Sequence, residues 1–396
     1  MEKTIPSDII LRLNEEAENK RKSGVKNIIN GTIGMFFDEE KKLAFSKTLS
    51  DTISKHNKEE DLVYPSVSGT KDYKNSIIKW FISPYYDLDK SNLKIISTPG
   101  GTGALYLSIS HASKINSLVL IPKISWPNYI SISRSVNAPY LMYENYDDND
   151  KFNLESIKKI IDETDYKSVT ILINDPCQNP TGYCLTETDF KNLTDYIVSV
   201  KDKKINIIYD LAYFDYSDDD VKINLYKNID ILKEYVDIYL CYSFSKSFSV
   251  YGLRIGGLAL LSKNEESEDV VKELTILARS SWSTTNHMAM NVIADLVSDD
   301  DSFTKMKNNI LYNKELLKQR ANIFIKEKDE IDLKIYPYSS GFFITIPVYD
   351  SLSVIENLKE KGIYLAPISN TEIRVALSCI SEKEVHSLAK KIKEAI

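Results

Sequence analysis

Lys246 lies in Ser243-Phe244-Ser245-Lys246-Ser247-Phe248, directly behind the apolar run 237–242, and Arg254 follows ahead of the glycine pair Gly256-Gly257. A lysine beyond a buried strand can be desolvated and neutralised, and its free amine is then a nucleophile suited to Schiff-base chemistry. Lysines and arginines together number 50, so it is the placement of Lys246 that singles it out. Ser243 and Arg254 are positioned to bind a phosphate between them, the arginine as a forked donor. Asp210 ends the run 206–210, with Ala212 and Tyr213 just after it. A carboxylate closing a buried strand is unfavourable unless it meets a cation or donors; a protonated ring nitrogen is one such partner, and a helix cap is the ordinary alternative. Asn179 follows the run 168–174 in Asp175-Pro176-Cys177-Gln178-Asn179-Pro180-Thr181-Gly182. The next proline keeps it extended, which lets its amide face a cleft; a plain proline-glycine turn is the bland alternative. Thr98-Pro99-Gly100-Gly101-Thr102-Gly103-Ala104 joins the run 93–97 to a helical stretch. Glycines and free N–H groups at a helix start suit an anion, although the segment lacks the lysine of a Walker loop and by itself is only a strand-to-helix turn.

These positions share one property: each lies at the carboxyl end of a strand-like run, where parallel α/β sheets bind their ligands. Short apolar runs at 93–97, 117–121, 168–174, 206–210, 237–242 and 256–261 are separated by loops and by helical patterns such as 186–200. Continuous apolar strands alternating with helices predict a mostly parallel sheet covered on both faces. Beyond residue 300 the texture changes to a charged helix over 300–328, short strands at 341–348, 364–367 and 371–377, and a closing helix over 381–396. Near the other end, 7–22 has the spacing of an amphipathic helix and 30–34 reads as a glycine-punctuated loop. The expected fold is α/β: a large domain over 50–295 with a mostly parallel sheet flanked by helices, and a smaller α+β domain built from 1–49 and 296–396.

The bulk numbers agree with this. A chain of 396 residues with 43% hydrophobic residues exceeds the ~250–300 residues at which single cores stop growing, and so has room for a second core. A net charge of −7 lacks the basic stripe that a nucleic-acid backbone requires, while a few local arginines still suffice for a small anion. Cys177, Cys184, Cys241 and Cys379 form no CxxC pair and fit no zinc spacing, so reduced thiols in a cytoplasmic protein are expected, without a metal. The first residues are acidic throughout and have no apolar centre, unlike a signal or transit peptide, and no run approaches the ~18 apolar residues of a membrane span.

The ordered set N-P-T-G at 179–182, D-x-A-Y at 210–213, S-F-S-K at 243–246 and K-x7-R-x-G-G at 246–257 resembles the fold-type I, pyridoxal-phosphate (PLP) aminotransferases of class I/II. Gly31-Thr32-Ile33-Gly34, Tyr64, Gly101-Thr102-Gly103-Ala104, Ser125-Trp126-Pro127-Asn128-Tyr129 and Arg374 fall in the family's order, so the resemblance spans about residues 30–378. It implies pyridoxal 5'-phosphate as cofactor, with Lys246 bound to it as an imine and later moving the substrate proton. It implies that Asp210 keeps the ring nitrogen protonated, that Tyr213 and Asn179 bond the ring's phenolic oxygen, and that Trp126 stacks on the ring. Gly101, Thr102, Ser243 and Arg254 would hold the phosphate, and Tyr64 would reach the phosphate of a partner subunit. Arg374 would take the substrate α-carboxylate as a bidentate pair, with Gly34, Trp126 and Asn179 also around the substrate. Arg279, in Ala278-Arg279-Ser280-Ser281-Trp282-Ser283, resembles the arginine that aspartate and aromatic aminotransferases send across a dimer interface to a distal carboxylate. Here Thr284-Thr285-Asn286 replaces the family's usual asparagine-proline-proline.

The implied reaction is ping-pong transamination between an L-amino acid and a 2-oxo acid, in a homodimer with shared active sites, with aspartate, glutamate or aromatic amino acids as candidates. A Cβ–S lyase or a decarboxylase on the same fold would use Lys246 and Asp210 equally well. A PLP-binding transcription regulator would need a DNA-binding module for which the N-terminal segment has no room. The intact lysine, aspartate and arginine set argues against a silent binding protein. Ordinary structural roles stay open for Trp126 as a core aromatic, for Tyr64 as one of 25 tyrosines, and for Arg374 as an outward strand residue with a surface ion pair.

Overall fold

The computed structural model describes residues 9–89, 92–113, 116–262 and 267–396. The strands, in chain order, are β1 Ile29–Gly31, β2 Leu93–Thr98, β3 Ser117–Pro122, β4 Tyr140–Tyr143, β5 Ser168–Asn174, β6 Lys204–Asp210, β7 Asp237–Ser243, β8 Gly256–Leu261, β9 Phe343–Pro347, β10 Ile363–Ser369 and β11 Glu372–Ala376. Seven of them form one sheet in the order β2-β8-β7-β6-β5-β3-β4. β8 runs antiparallel to both neighbours, and the remaining pairs are parallel.

The apolar runs form this sheet because both of its faces are covered. Ile171, Ile207 and Leu240 enter one buried cluster, and their chain neighbours Leu172, Ile208 and Cys241 belong to another on the opposite side. The period-two alternation of a strand thus supplies two cores, which is why these segments read as nearly continuous apolar runs, interrupted by buried polar residues such as Thr170 and Asn206. The helix Gly100–Ala112 packs across β6, β7 and β8.

Register brings the strand ends into line. Asn174 pairs with Asp210 and Asp210 with Cys241, so β5, β6 and β7 stop side by side. Ser243 pairs with Gly256, and Gly256 with Thr98. The loops after β2, β5, β6 and β7, together with the residues leading into β8, therefore open on one edge of the sheet.

A second sheet has the order β1-β10-β11-β9, with β1 parallel to β10 and the other pairs antiparallel. Its core combines Leu13, Ile29 and Phe36 with Phe343, Leu365, Val375 and Ile392. The helix Asp300–Glu330 joins the two parts: Met306 and Ile310 pack in a core of the large sheet, and Leu316, Leu317, Ala321 and Phe324 in that of the small one.

Three expectations need correction. Residues 29–31, at the head of the expected 30–34 loop, form β1, whose partner is Ile363–Leu365; a three-residue strand carries no readable period. The closing helix is two short ones, Glu382–Val385 and Leu388–Lys393, because Ser387 takes φ 65°, a left-handed conformation no helix accepts. β4 lay outside the expected strands, being an edge strand with Leu141 and Met142 exposed. The amphipathic helix is Ile9–Lys22, and residues 7 and 8 of the expected span lie outside the described residues. Among the described residues no helix is long and apolar enough to cross a membrane.

Candidate active site

The aligned strand ends border a cavity of about 280 Å³, whose lining includes Gly101, Thr102, Trp126, Asn179, Asp210, Tyr213, Ser243, Lys246 and Arg254. Nine of the thirteen residues expected at the site thus meet in one place.

Lys246 sits in the single turn Phe244–Ser247, which Ser243 starts by accepting a hydrogen bond from the Ser245 N–H. Its Nζ donates to the Gly34 carbonyl at 2.7 Å and lies 5.5 Å from the Tyr213 ring centre and 4.9 Å from that of Tyr251. Desolvation, followed by the Arg374 guanidinium, brings the amine down from 10.5 to about 8. A useful fraction of this lysine is therefore neutral near neutral pH.

Asp210 is 4% exposed. Burial raises its carboxyl above the usual range, opposed by the Tyr129 hydroxyl and the Ala212 N–H. The Tyr129 hydroxyl donates to Oδ2 at 2.6 Å, and Ala212 N–H to Oδ1 at 3.0 Å. Asp210 does not cap a helix; its carboxylate is held at the cavity floor by two donors.

Arg374, on β11, is buried rather than outward-facing. It donates through Nη1 to Asn179 Oδ1 at 3.0 Å and through Nη2 to the Thr32 carbonyl at 2.6 Å, over the Phe343 ring at 4.1 Å. Its Nε is buried and has no partner in the protein. Gly34 lies at the same junction, where a Cβ would stand 2.7 Å from Phe343 Cζ and 3.3 Å from the Tyr213 hydroxyl.

Tyr64 is 89% exposed and lies outside this cavity. Arg279, in the last turn of the helix Ser267–Ser281, is also exposed. Tyr251 and Tyr129 were not singled out from sequence. Tyr251 lies inside the K-x7-R segment and accepts the Phe36 N–H at 2.8 Å. Tyr129 closes the Ser125–Tyr129 motif of the resemblance, but nothing in the sequence pairs it with Asp210.

The sequence pattern of the family Aminotransferase class I and II matches residues 27–392. The chain belongs to that family. It is similar to aspartate aminotransferase of Pseudomonas aeruginosa, at 24% identity over 310 residues, 75% of this chain and 74% of the relative. It is also similar to tyrosine aminotransferase of Klebsiella pneumoniae, at 22% identity over 299 residues, 74% of this chain and 73% of the relative. Among solved structures, an aminotransferase from Anaerococcus prevotii superposes with a TM-score of 0.90 at 27% identity, covering 98% of this chain and 96% of that one. Cytoplasmic aspartate aminotransferase from Saccharomyces cerevisiae superposes at 0.83 with 18% identity, covering 99% and 97%.

Class I and II aminotransferases depend on pyridoxal 5'-phosphate, and this aminotransferase is accordingly a PLP-dependent enzyme that transfers amino groups between amino and 2-oxo acids. Its cavity fits that group. One end has the first turn of the helix Gly100–Ala112, where no side chain caps the N–H groups. Gly100, at φ 71°, lies against Arg254, because a Cβ there would come 2.8 Å from Arg254 Nη2. Arg254 is exposed at the rim, with Ser243 beneath Gly101, so uncapped N–H groups, a hydroxyl and a guanidinium converge where a phosphate would sit. The other end has the buried Asp210 carboxylate, matched to a cationic ring nitrogen, and the desolvated Lys246 amine lies between.

Proposed function

We propose that this aminotransferase holds its cofactor through Lys246, with Asp210 at the ring nitrogen, Tyr213 and Asn179 at the ring oxygen, Trp126 over the ring, and Gly101, Thr102, Ser243 and Arg254 around the phosphate. One observation carries the reading: Lys246, Asp210 and Asn179, the last of them bonded to Arg374, line one cavity at the ends of β5, β6 and β7. When bound, the cofactor supplies an electron sink that weakens the substrate's Cα–H bond.

The chain's own groups do the rest. Arg374 is held by Asn179 and Thr32, so its orientation is fixed before a carboxylate arrives. Its unpartnered Nε leaves a donor on its edge for that carboxylate. Lys246, with its neutral form accessible, takes the Cα proton and returns it; the Gly34 carbonyl gives its amine a defined resting place. Asp210 holds the proton at the ring nitrogen, and Tyr129 holds Asp210.

We read residues 50–295 as the cofactor-holding body and 1–49 with 296–396 as the smaller one, bridged by the helix Asp300–Glu330. We further propose a cytoplasmic homodimer that shares its sites. Leu62, Val63, Tyr64 and Ile276 present apolar surface to solvent. His287 Nδ1 contacts the Val63 carbonyl at 3.0 Å, tying the Tyr64 segment to the helix that begins just past the Arg279 turn. A second copy covering this face would receive Tyr64 at its phosphate and Arg279 at its substrate. Arg279 then makes dicarboxylates such as aspartate or glutamate the favoured amino donors.

The experiment is an absorption spectrum of the purified protein with added cofactor, followed by single amino acids. A visible band absent from Lys246→Ala, converted to an ultraviolet band by aspartate or glutamate with stoichiometric 2-oxo acid, is the expected result. Conversion by aromatic but not dicarboxylic substrates removes the role given to Arg279. Release of ammonia or carbon dioxide instead of the ultraviolet form favours the lyase or decarboxylase, and no visible band at all overturns the assignment of Lys246.

A further inference from the structure

We propose that Cys177 and Cys184 form a reversible dithiol–disulfide site at the base of the loop carrying Asn179, oxidised by a peroxide and restored by a thiol. The loop is a tight hairpin: Gln178 N–H donates to the Tyr183 carbonyl at 2.9 Å, and Gly182 N–H to the Gln178 carbonyl at 2.7 Å. Cys177 and Cys184 are the next residues outward on its two arms, and Cys177 N–H donates to Cys184 Sγ at 3.3 Å. The Ser340 hydroxyl touches both sulfurs, at 3.2 Å from Cys177 and 3.4 Å from Cys184. No such pairing exists for the other two cysteines. Cys241 Sγ meets Ser108 at 3.4 Å, and Cys379 faces the Ile33 and Met35 carbonyls.

The surroundings of the two sulfurs are unequal. Cys184 Sγ accepts the Cys177 N–H and lies 3.4 Å from the Ser340 hydroxyl, contacts that favour a thiolate. The neighbouring Cys177 thiol, with Ser340 and the Cys177 N–H, holds the Cys184 thiol below its ordinary value against the opposing effect of burial, whereas burial pushes Cys177 up. Cys184 also keeps slight exposure, at 5% against 0% for Cys177. Attack therefore starts at Cys184.

Its thiolate displaces one oxygen of the peroxide. An S–O bond forms, the O–O bond breaks, and the leaving oxygen departs as water (or as an alcohol) with a proton; Cys184 becomes a sulfenic acid. Cys177 then loses its proton and attacks that sulfur, the S–S bond forms, and the S–O bond breaks to release water. Two thiols lose two electrons, and the peroxide gains them.

The consequence reaches the substrate through Asn179. An S–S bond of about 2.05 Å joins two sulfurs that now share the Ser340 hydroxyl and draws the loop arms together. It also removes the thiolate that accepted from Cys177 N–H and Ser340. Ser340 lies on the segment whose N–H groups, with Ser339, bond the Gly182 carbonyl, so the loop shifts on both sides. Asn179 is the partner of Arg374, and the guanidinium loses its alignment while Lys246, Asp210 and the phosphate cradle stay in place. This last step rests on the proposed role of Arg374; formation of the disulfide does not.

The test exposes the holoenzyme to hydrogen peroxide, then alkylates it in denaturant. The expected result is a loss of about 2 Da, a linked Cys177–Cys184 peptide that dithiothreitol opens, and a KM for the amino acid raised about fivefold or more, with the visible cofactor band unchanged. Cys177→Ser and Cys184→Ser keep their KM under the same treatment. Full alkylation of both cysteines after exposures that oxidise Cys241 or Cys379, or added oxygen on Cys184 without a linked peptide, overturns the disulfide. A linked peptide with unchanged KM keeps the disulfide and overturns its coupling to Asn179.

Discussion

Replacing Tyr129 by phenylalanine removes one hydroxyl and leaves the ring packing in place. That hydroxyl donates to Asp210 Oδ2 at 2.6 Å, within the short range of charge-assisted O–H···O⁻ bonds. Both groups are buried, and among the described residues the other donor to the carboxylate, Ala212 N–H, serves Oδ1. A hydrogen bond to a charged group is worth about 1.5–3 kcal/mol, which corresponds to roughly one to two pKa units, or about ten- to a hundredfold in binding. The sign follows from which form is stabilised. The bond favours the carboxylate, so its loss moves the Asp210 carboxyl further up from a value that burial has already raised. As pH falls, activity that needs ionised Asp210 is therefore lost earlier, and the acid limb of the kcat profile moves up by about one to two units. Cofactor titration followed by absorbance should give a dissociation constant about ten- to a hundredfold weaker, with an unchanged melting temperature of the cofactor-free protein as the control for folding. A dissociation constant within twofold of the parent and an unmoved acid limb would refute the claim that Tyr129 holds the cofactor-facing carboxylate.

Four further outcomes follow from the geometry. Competitive acetylation of the cofactor-free protein should half-label Lys246 near pH 8, and labelling that tracks an ordinary lysine near 10.5 counts against the desolvated amine. Because the unfolded chain keeps more protons on Lys246 between those two values, parent stability rises with pH across that window; Lys246→Met should gain up to about 3 kcal/mol below pH 8, read by denaturant melts, and the gain should vanish above 10.5. Gly34→Ala places a methyl 2.7 Å from Phe343 Cζ, beneath Arg374, and should raise the amino-acid KM about tenfold with the cofactor band unaltered; an unchanged KM means that Phe343 yields freely. Gly182→Ala meets Tyr338 at 2.3 Å and the Phe343 carbonyl at 2.7 Å while holding φ 79°, so a thermal melt should report a loss of about 2 kcal/mol or more.

The large sheet was legible because its central strands are buried on both sides and therefore nearly continuous in apolar residues, a signal that survives in short runs such as 168–174. The site was legible for a related reason. Residues that end neighbouring strands in register must lie together, so Asn179, Asp210 and Lys246 could be grouped before any contact was known. What escaped the sequence depends on through-space partners: Tyr129 beneath Asp210, the Gly34 carbonyl at Lys246, and the Thr32 carbonyl at Arg374. β1 escaped because three residues hold no period, and the break at Ser387 because one left-handed residue interrupts no hydrophobic pattern.

β1 also places a demand on synthesis. Ile29 pairs with Ile363, so a segment made early must wait for about 330 further residues before its hydrogen-bonding edge is met. At roughly 5–20 residues per second that wait is about 15 to 70 seconds, during which the large sheet can close on its own. Thr32, one residue beyond β1, supplies the carbonyl that holds Arg374. The proposed carboxylate anchor is therefore completed last, when the two distant ends of the chain zip together, and a nascent chain stalled before β10 would carry the proposed cofactor cradle without the Thr32–Arg374 pair.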